Sequence, residues 1–420
     1  MRRFLVAIVS AICFCAANAQ DFNEYFEDAT LRIDYSFSGD ASVQSVSVAG
    51  LCTFDGWHGR RSRLAELPVE GNGQVTVRSR HGGKVIYRIP FSSLFQEWLS
   101  YPEANGVCRS FENVFLVPMP KDTVYITVEL RNNRRETIAT LTHTVVPGDI
   151  LIRKIGRVTT PYDTIMASPM GRGAVDIAFV AEGYTEGEMG TFMEDARKAT
   201  AVIFAHEPFK GRKDKFNVVA VKSPSRESGT SEPSAGIWRE TALQSHFDTF
   251  YSDRYLTTLS LRKLHDWLAG VPYEHIIVLV NSDKYGGGGI LNSYNLTSTH
   301  HSKYLPVVVH EFGHSFAGLA DEYAYETEDI PMYPHDVEPW ERNITTLADF
   351  HGKWENDISP STALPTKSEA VGPGLYEGAG YSLKGIYRAY PGCRMRDNDT
   401  PDFCPVCRKA LADVIDFYAE

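Results

Sequence analysis

Two histidines flank a glutamate in the run His310-Glu311-Phe312-Gly313-His314. On a helix they stand at i and i+4, so both imidazoles lie on one face about a turn apart. Neutral imidazoles at that spacing can take two corners of a tetrahedral zinc site. Glu311, beside the first of them, is placed to hold a metal-bound water and take its proton. A catalytic zinc also needs a third protein ligand and one open corner.

The residues after His314 can supply that ligand. Asp321 comes eleven residues after His310, which on an unbroken helix is roughly 16 Å away and too far to share an ion. Gly318 offers the break, because glycine takes the left-handed conformation at a helix C-terminus without penalty. A reversal there returns Asp321 or Glu322 beneath the histidines. Asp321 is the preferred ligand; Glu322 is held as the reserve, or as a partner that orients a histidine. Upstream, Tyr304-Leu305-Pro306-Val307-Val308-Val309 gives a proline suited to a first helical turn and an apolar lead-in.

The whole segment H-E-F-G-H-S-F-A-G-L-A-D-E-Y resembles the M64 peptidases, the immunoglobulin A peptidase-like family, and more loosely the metzincins. Matching stretches include Ile177–Tyr184, Lys215–Val218 and Gly392–Arg396, so the likeness runs from about Asp176 to the C-terminus. It implies a zinc metallopeptidase in which His310, His314 and Asp321 bind Zn2+ and Glu311 is the general base. It also implies that Met395 lies in a methionine turn beneath the zinc, with a structural role. The metzincin spacing is not kept: ten residues after His310 stands Ala320, which cannot ligate.

The elements that must position these residues fall into two halves. From Gln20 to about residue 147, Leu31, Ile33, Tyr35 and Phe37 alternate with polar residues, as do Val124, Ile126, Val128 and Leu130. Arg131–Arg135 reads as a turn into Thr137–Thr144, a hairpin signal. An all-β antiparallel sandwich domain without catalytic clusters is expected there, followed by a connector over residues 148–170. Residues 171–420 mix strands and helices, giving an α/β (α+β) zincin-like catalytic domain. Its strand candidates are Ala174–Ala181, Phe216–Val221 and Ile276–Val280. Helices are expected over Leu256–Leu268, through Phe192, Ala196, Ala199 and Ile203, and over Pro405–Tyr418. The glycines of Tyr285-Gly286-Gly287-Gly288-Gly289-Ile290 either let a substrate backbone approach a sheet edge or form a flexible loop.

The chain has 420 residues, enough for two or three domains, and 23% charged residues, ordinary for a globular protein. Its net charge of −11 gives no electrostatic reason to expect nucleic acid or an anionic membrane as a partner. Residues 1–19 read as a signal peptide: Arg2-Arg3, an apolar run from Phe4 to Cys15, and Ala17-Asn18-Ala19 before the cut. That run is too short to span a membrane, and no other transmembrane candidate exists. Export to the periplasm, cell surface or medium follows.

Five cysteines would remain. Cys404-Pro-Val-Cys407 has no second C-x-x-C to complete a zinc ribbon, so a disulfide from Cys393 to Cys404 or Cys407 is expected. Asn295-Leu296-Thr297 and Asn343-Ile344-Thr345 match glycosylation acceptors. Tyr381, Tyr387 and Arg388 are candidates to assist the developing oxyanion. Together these features point to a secreted zinc endopeptidase acting on protein or peptide substrates, with an N-terminal domain that can contact glycan or protein. The alternatives are another zinc hydrolase, acting on cell-wall peptide or an amide, and a non-catalytic binding protein on the same fold.

Overall fold

Alternation builds the first half of the chain. The computed structural model describes residues 21–325 and 332–419; the expected signal peptide lies outside them. The strands run β1 (Phe26–Gly39), β2 (Gln44–Asp55), β3 (Gly73–Ser79) and β4 (Val85–Phe91). Then come β5 (Arg109–Pro120), β6 (Val124–Arg131), β7 (Thr137–Val145) and the short β8 (Arg153–Lys154). They form two four-stranded sheets, ordered β5-β1-β2-β8 and β4-β3-β6-β7. The β6–β7 hairpin pairs Leu130 with Ala139 across the turn expected from the sequence. Leu31, Ile33, Tyr35 and Phe37 of β1 and Val124, Ile126, Val128 and Leu130 of β6 are all buried in one core. Helix α1 (Phe22–Tyr25) precedes β1, and α2 (Leu94–Trp98) bridges β4 and β5.

The opposite face of β1 is not solvated as its polar residues suggest. Thr30, Arg32 and Asp34 are buried as well. Arg32 pairs with Asp34 at 2.7 Å and reaches Asp266 in the second half at 2.6 Å. A charge pair between flanking residues cannot be told from a solvated face by periodicity.

The second half is built on a six-stranded sheet. Its elements begin with β9 (Tyr162–Met166), β10 (Val175–Glu182), α3 (Met189–Ile203) and β11 (Phe216–Val221). They continue through α4 (Leu261–Trp267), β12 (His275–Val280), β13 (Gly287–Ile290), β14 (Tyr294–Ser298) and α5 (Tyr304–Ala317). The order is β13-β14-β12-β10-β11-β9, with parallel pairing in the interior and antiparallel strands at both edges. Strand β10 is buried along its whole length, as parallel strands covered on both faces are. Ile177, Phe179 and Ala181 enter a core with α3 and α5. Ala178 and Val180 enter the core of the first-half sheets.

Beyond α5 a small sheet, ordered β15-β17-β16, follows from β15 (Ile344–Thr345), β16 (Tyr376–Ala379) and β17 (Ser382–Arg388). The last helix, α6 (Pro405–Tyr418), contributes Cys407, Leu411, Val414 and Tyr418 to the α3–α5 core. One expectation needs correction. The helix expected from Leu256 begins only at Leu261. Of the two readings left open for the glycine run, the structure has the sheet edge: Gly287–Ile290 form an edge strand, β13, laid against α5.

The chain is therefore a mixed α/β protein with several sheets and few helices. No helix among the described residues is long and apolar enough to cross a membrane.

Candidate metal centre and cleft

Helix α5 carries His310, Glu311 and His314, and ends at Gly318 with φ +61°. The Gly318 N–H donates to His314 O at 2.9 Å, closing the helix with a left-handed cap. A side chain there would strike Trp340. The chain then doubles back, and Asn343 holds the turn: its Oδ1 accepts from Ala320 N and its Nδ2 donates to Ala320 O, both at 2.8 Å. Asp321 is delivered beneath the histidines. Its Oδ1 lies 3.0 Å from His310 Nε2 and 3.3 Å from His314 Nε2, and the two Nε2 atoms are 3.0 Å apart.

The other ring nitrogens are already committed. His310 Nδ1 donates to Arg394 O at 2.9 Å and His314 Nδ1 donates to Leu319 O. Each Nε2 then presents a lone pair to the other and to a carboxylate oxygen that has no hydrogen-bond partner of its own. Three acceptors facing one another call for a cation, and two imidazoles with a carboxylate suit zinc. The residues present fit the group. Without it, burial disfavours charge on both imidazoles, yet Asp321 raises both, His314 to about 9. Burial opposes the Asp321 charge too, and the histidines still hold its carboxyl far below the usual range.

Glu322 points the other way. Its Oε1 accepts from Asn343 Nδ2 and Cys407 Sγ, both at 3.0 Å, and it touches no histidine. Adjacent residues on an extended stretch face opposite sides, so only one of the two carboxylates can reach the centre.

Glu311 lies over β13: a Cβ on Gly287 would sit 2.6 Å from its Oε1. On Gly289 it would meet the Glu311 backbone oxygen at 2.4 Å. The glycines therefore set how closely α5 approaches the edge strand. Met395 is buried directly under the helix, where a Cβ on Gly313 would meet its Sδ at 2.8 Å.

These residues floor a cleft of about 1060 Å³. Tyr381 lines it and donates its hydroxyl to Asp321 Oδ2. Tyr387 and Arg388 do not line it: Arg388 is buried and donates to the carbonyls of Glu377 and Gly378. The first half of the chain contributes after all. Glu97 and Tyr101, at and just beyond α2, line the cleft, and Glu97 accepts from Tyr255 OH at 2.6 Å. Nothing in the sequence around Glu97 marks it, since only the docking of the two halves brings it there. Both glycosylation motifs are buried, with Asn295 and Asn343 at 0% exposure, so neither can accept a glycan in this fold.

Two family models match this chain: IgA Peptidase M64 over residues 166–372 and Peptidase M64 N-terminus over residues 21–142. The chain belongs to the M64 peptidase family. The first match spans the whole α5–Asp321 segment of this M64 peptidase and stops before Met395. No curated protein matches it. Among solved structures, metalloproteinase-II from Bacteroides fragilis is similar at 11% identity and a TM-score of 0.22, covering 63% of this chain and 85% of that one. A likeness so loose carries no argument.

Proposed function

We propose that this M64 peptidase is an exported, zinc-dependent endopeptidase. The observation that carries the reading is the convergence of two imidazole lone pairs and an unpartnered carboxylate oxygen on the floor of a cleft. His310, His314 and Asp321 would hold the ion, with Asp321 rather than Glu322 as the third ligand. When bound there, zinc acidifies a water and polarises a carbonyl. Glu311 is the general base. Burial raises its pKa above the usual carboxylate value, against the pull of the neighbouring histidines, which makes it a better proton acceptor. It takes the proton of the attacking water and passes it to the leaving amine.

The substrate is read as an extended peptide laid in the cleft beside β13, an edge strand whose glycines line the cleft and whose Gly287 also bridges to Tyr255. Tyr381 orients Asp321 through its hydroxyl. The two first-half sheets are read as a sandwich domain that forms one wall of the cleft. The zincin-like description of the second half rests on its edge strand and metal-bearing helix. Export rests on residues 1–19, and a mature N-terminus at Gln20 would check it.

The experiment follows metal content and cleavage of unfolded casein together. Glu311→Gln should keep its active-site zinc and lose roughly 10²–10⁴-fold in turnover. Asp321→Ala should lose the active-site zinc and the activity. A wild type that binds zinc but cuts no protein would replace the endopeptidase reading with that of a narrower zinc hydrolase. Zinc retained at the site in Asp321→Ala would remove Asp321 from the ligand set.

A further inference from the structure

The disulfide expected between Cys393 and Cys404 or Cys407 does not form: all three cysteines are free and buried. They gather at the start of α6 with Glu322, and the four side chains can each direct one donor atom into a space where all lie within 4.8 Å of one another. Cys393 and Cys407 Sγ are 3.7 Å apart. A disulfide needs about 2.05 Å. Two thiolates on one tetrahedral zinc, with Zn–S of about 2.3 Å, stand about 3.8 Å apart.

Other contacts fit a thiolate cluster. Cys393 Sγ accepts from Cys404 N at 3.2 Å and from Met395 N at 3.5 Å. Glu322 is fully buried, and its Oε2 has no hydrogen-bond partner. Pairing two of the three cysteines would leave the third thiol and the Glu322 Oε2 oxygen unmatched in the interior, which is unfavourable. A single divalent ion satisfies all four. The soft sulfur donors select zinc over magnesium or calcium. The buried Arg388, which senses both Glu322 and Cys393, offsets part of the excess negative charge.

We propose that Cys393, Cys404, Cys407 and Glu322 form a second, closed zinc site with a structural role. With four protein donors and no vacant corner, it differs in kind from the centre in the cleft. It clamps the segment that supports that centre. Arg394, whose carbonyl orients His310, lies between Cys393 and Met395, and Glu322 N donates to Met395 O at 2.8 Å. The second ion thus holds one end of Asp321's turn against the loop under the helix. The inference stands whether or not the cleft is catalytic.

The test uses the full chain carrying His310→Ala and His314→Ala, purified from zinc-supplemented medium without reductant. It should retain about one zinc per chain, with X-ray absorption showing sulfur neighbours near 2.3 Å. All thiols should titrate after denaturation with chelator. Adding Cys404→Ser and Cys407→Ser should remove that zinc. Should this variant fail to fold, wild-type absorption spectra decide: sulfur scattering supports the site, and purely nitrogen and oxygen scattering overturns it. A double-histidine variant without zinc, and with two thiols missing from the titration, would mean a disulfide and overturn it too.

Discussion

At the scale of single residues, the groups that act at a distance from their neighbours in sequence are the ones that motif reading misses. His310, Glu311 and His314 lie within one helical turn, so spacing alone places them together. Asp321 depends on a single left-handed residue, Gly318, which a sequence can suggest but not enforce. Glu97 depends on tertiary docking and has no local signal at all. It sits half-buried in the cleft wall, and burial pushes its pKa up to about 7 from an ordinary 4.5, with Asp321 adding to the shift. A carboxyl raised on folding favours the fold while protonated. That contribution is complete below about pH 4.5 and is lost as pH rises toward about 7. Glu97→Gln keeps an acceptor for Tyr255 and has no charge to bury. Its melting temperature relative to wild type should climb between those two pH values and level off above them. A difference that stays flat with pH would show that folding leaves the Glu97 pKa where it is in the unfolded chain.

At the scale of elements, the glycines of β13 govern how closely α5 meets the sheet. Strands β10, β11 and β12 and helices α3 and α6 were legible because apolar runs and 3.6-residue periodicity mark them directly. Strand β13 was not, since its three glycines, in a run of four, carry no periodicity and read equally as loop. What they supply is room for α5, and two substitutions separate the consequences. In Gly287→Ala the closest obstacle is the end of the Glu311 side chain, which can swing aside, with Val307 Cγ1 at 2.9 Å giving by a small shift. The fold and bound metal should survive, while turnover falls at least 10-fold as the base leaves its position. In Gly289→Ala the obstacle is the backbone of Glu311. The helix itself must shift, at a cost of about 1–3 kcal/mol. Denaturant unfolding and turnover on both variants check this; equal stability for the two would mean the helix can ride outward freely.

Across the whole molecule, the boundary near residue 150 divides the strand patterns but not the core. The sheets of the first half share one apolar cluster with β10, β11, β12 and α4 of the second. Arg32 of β1, paired with Asp34 of the same strand, meets Asp266 of α4 across the same junction and is only 1% exposed. Composition could mark the switch from strands to mixed elements, but it carries no information on which faces later meet. That is also why an all-β half judged free of catalytic groups turns out to wall the cleft. If the halves share one core, they should unfold together. Scanning calorimetry of the full chain should give a single endotherm whose calorimetric and van't Hoff enthalpies agree. Arg32→Met supplies the decisive comparison. It leaves Asp34 buried without its partner, a loss on the order of 3–5 kcal/mol for a broken buried ion pair. In a cooperative molecule that loss lowers the whole endotherm by several degrees. Two endotherms, with only the first displaced by Arg32→Met, would instead mean that the halves fold independently and that Glu97 reaches the cleft by docking of preformed domains.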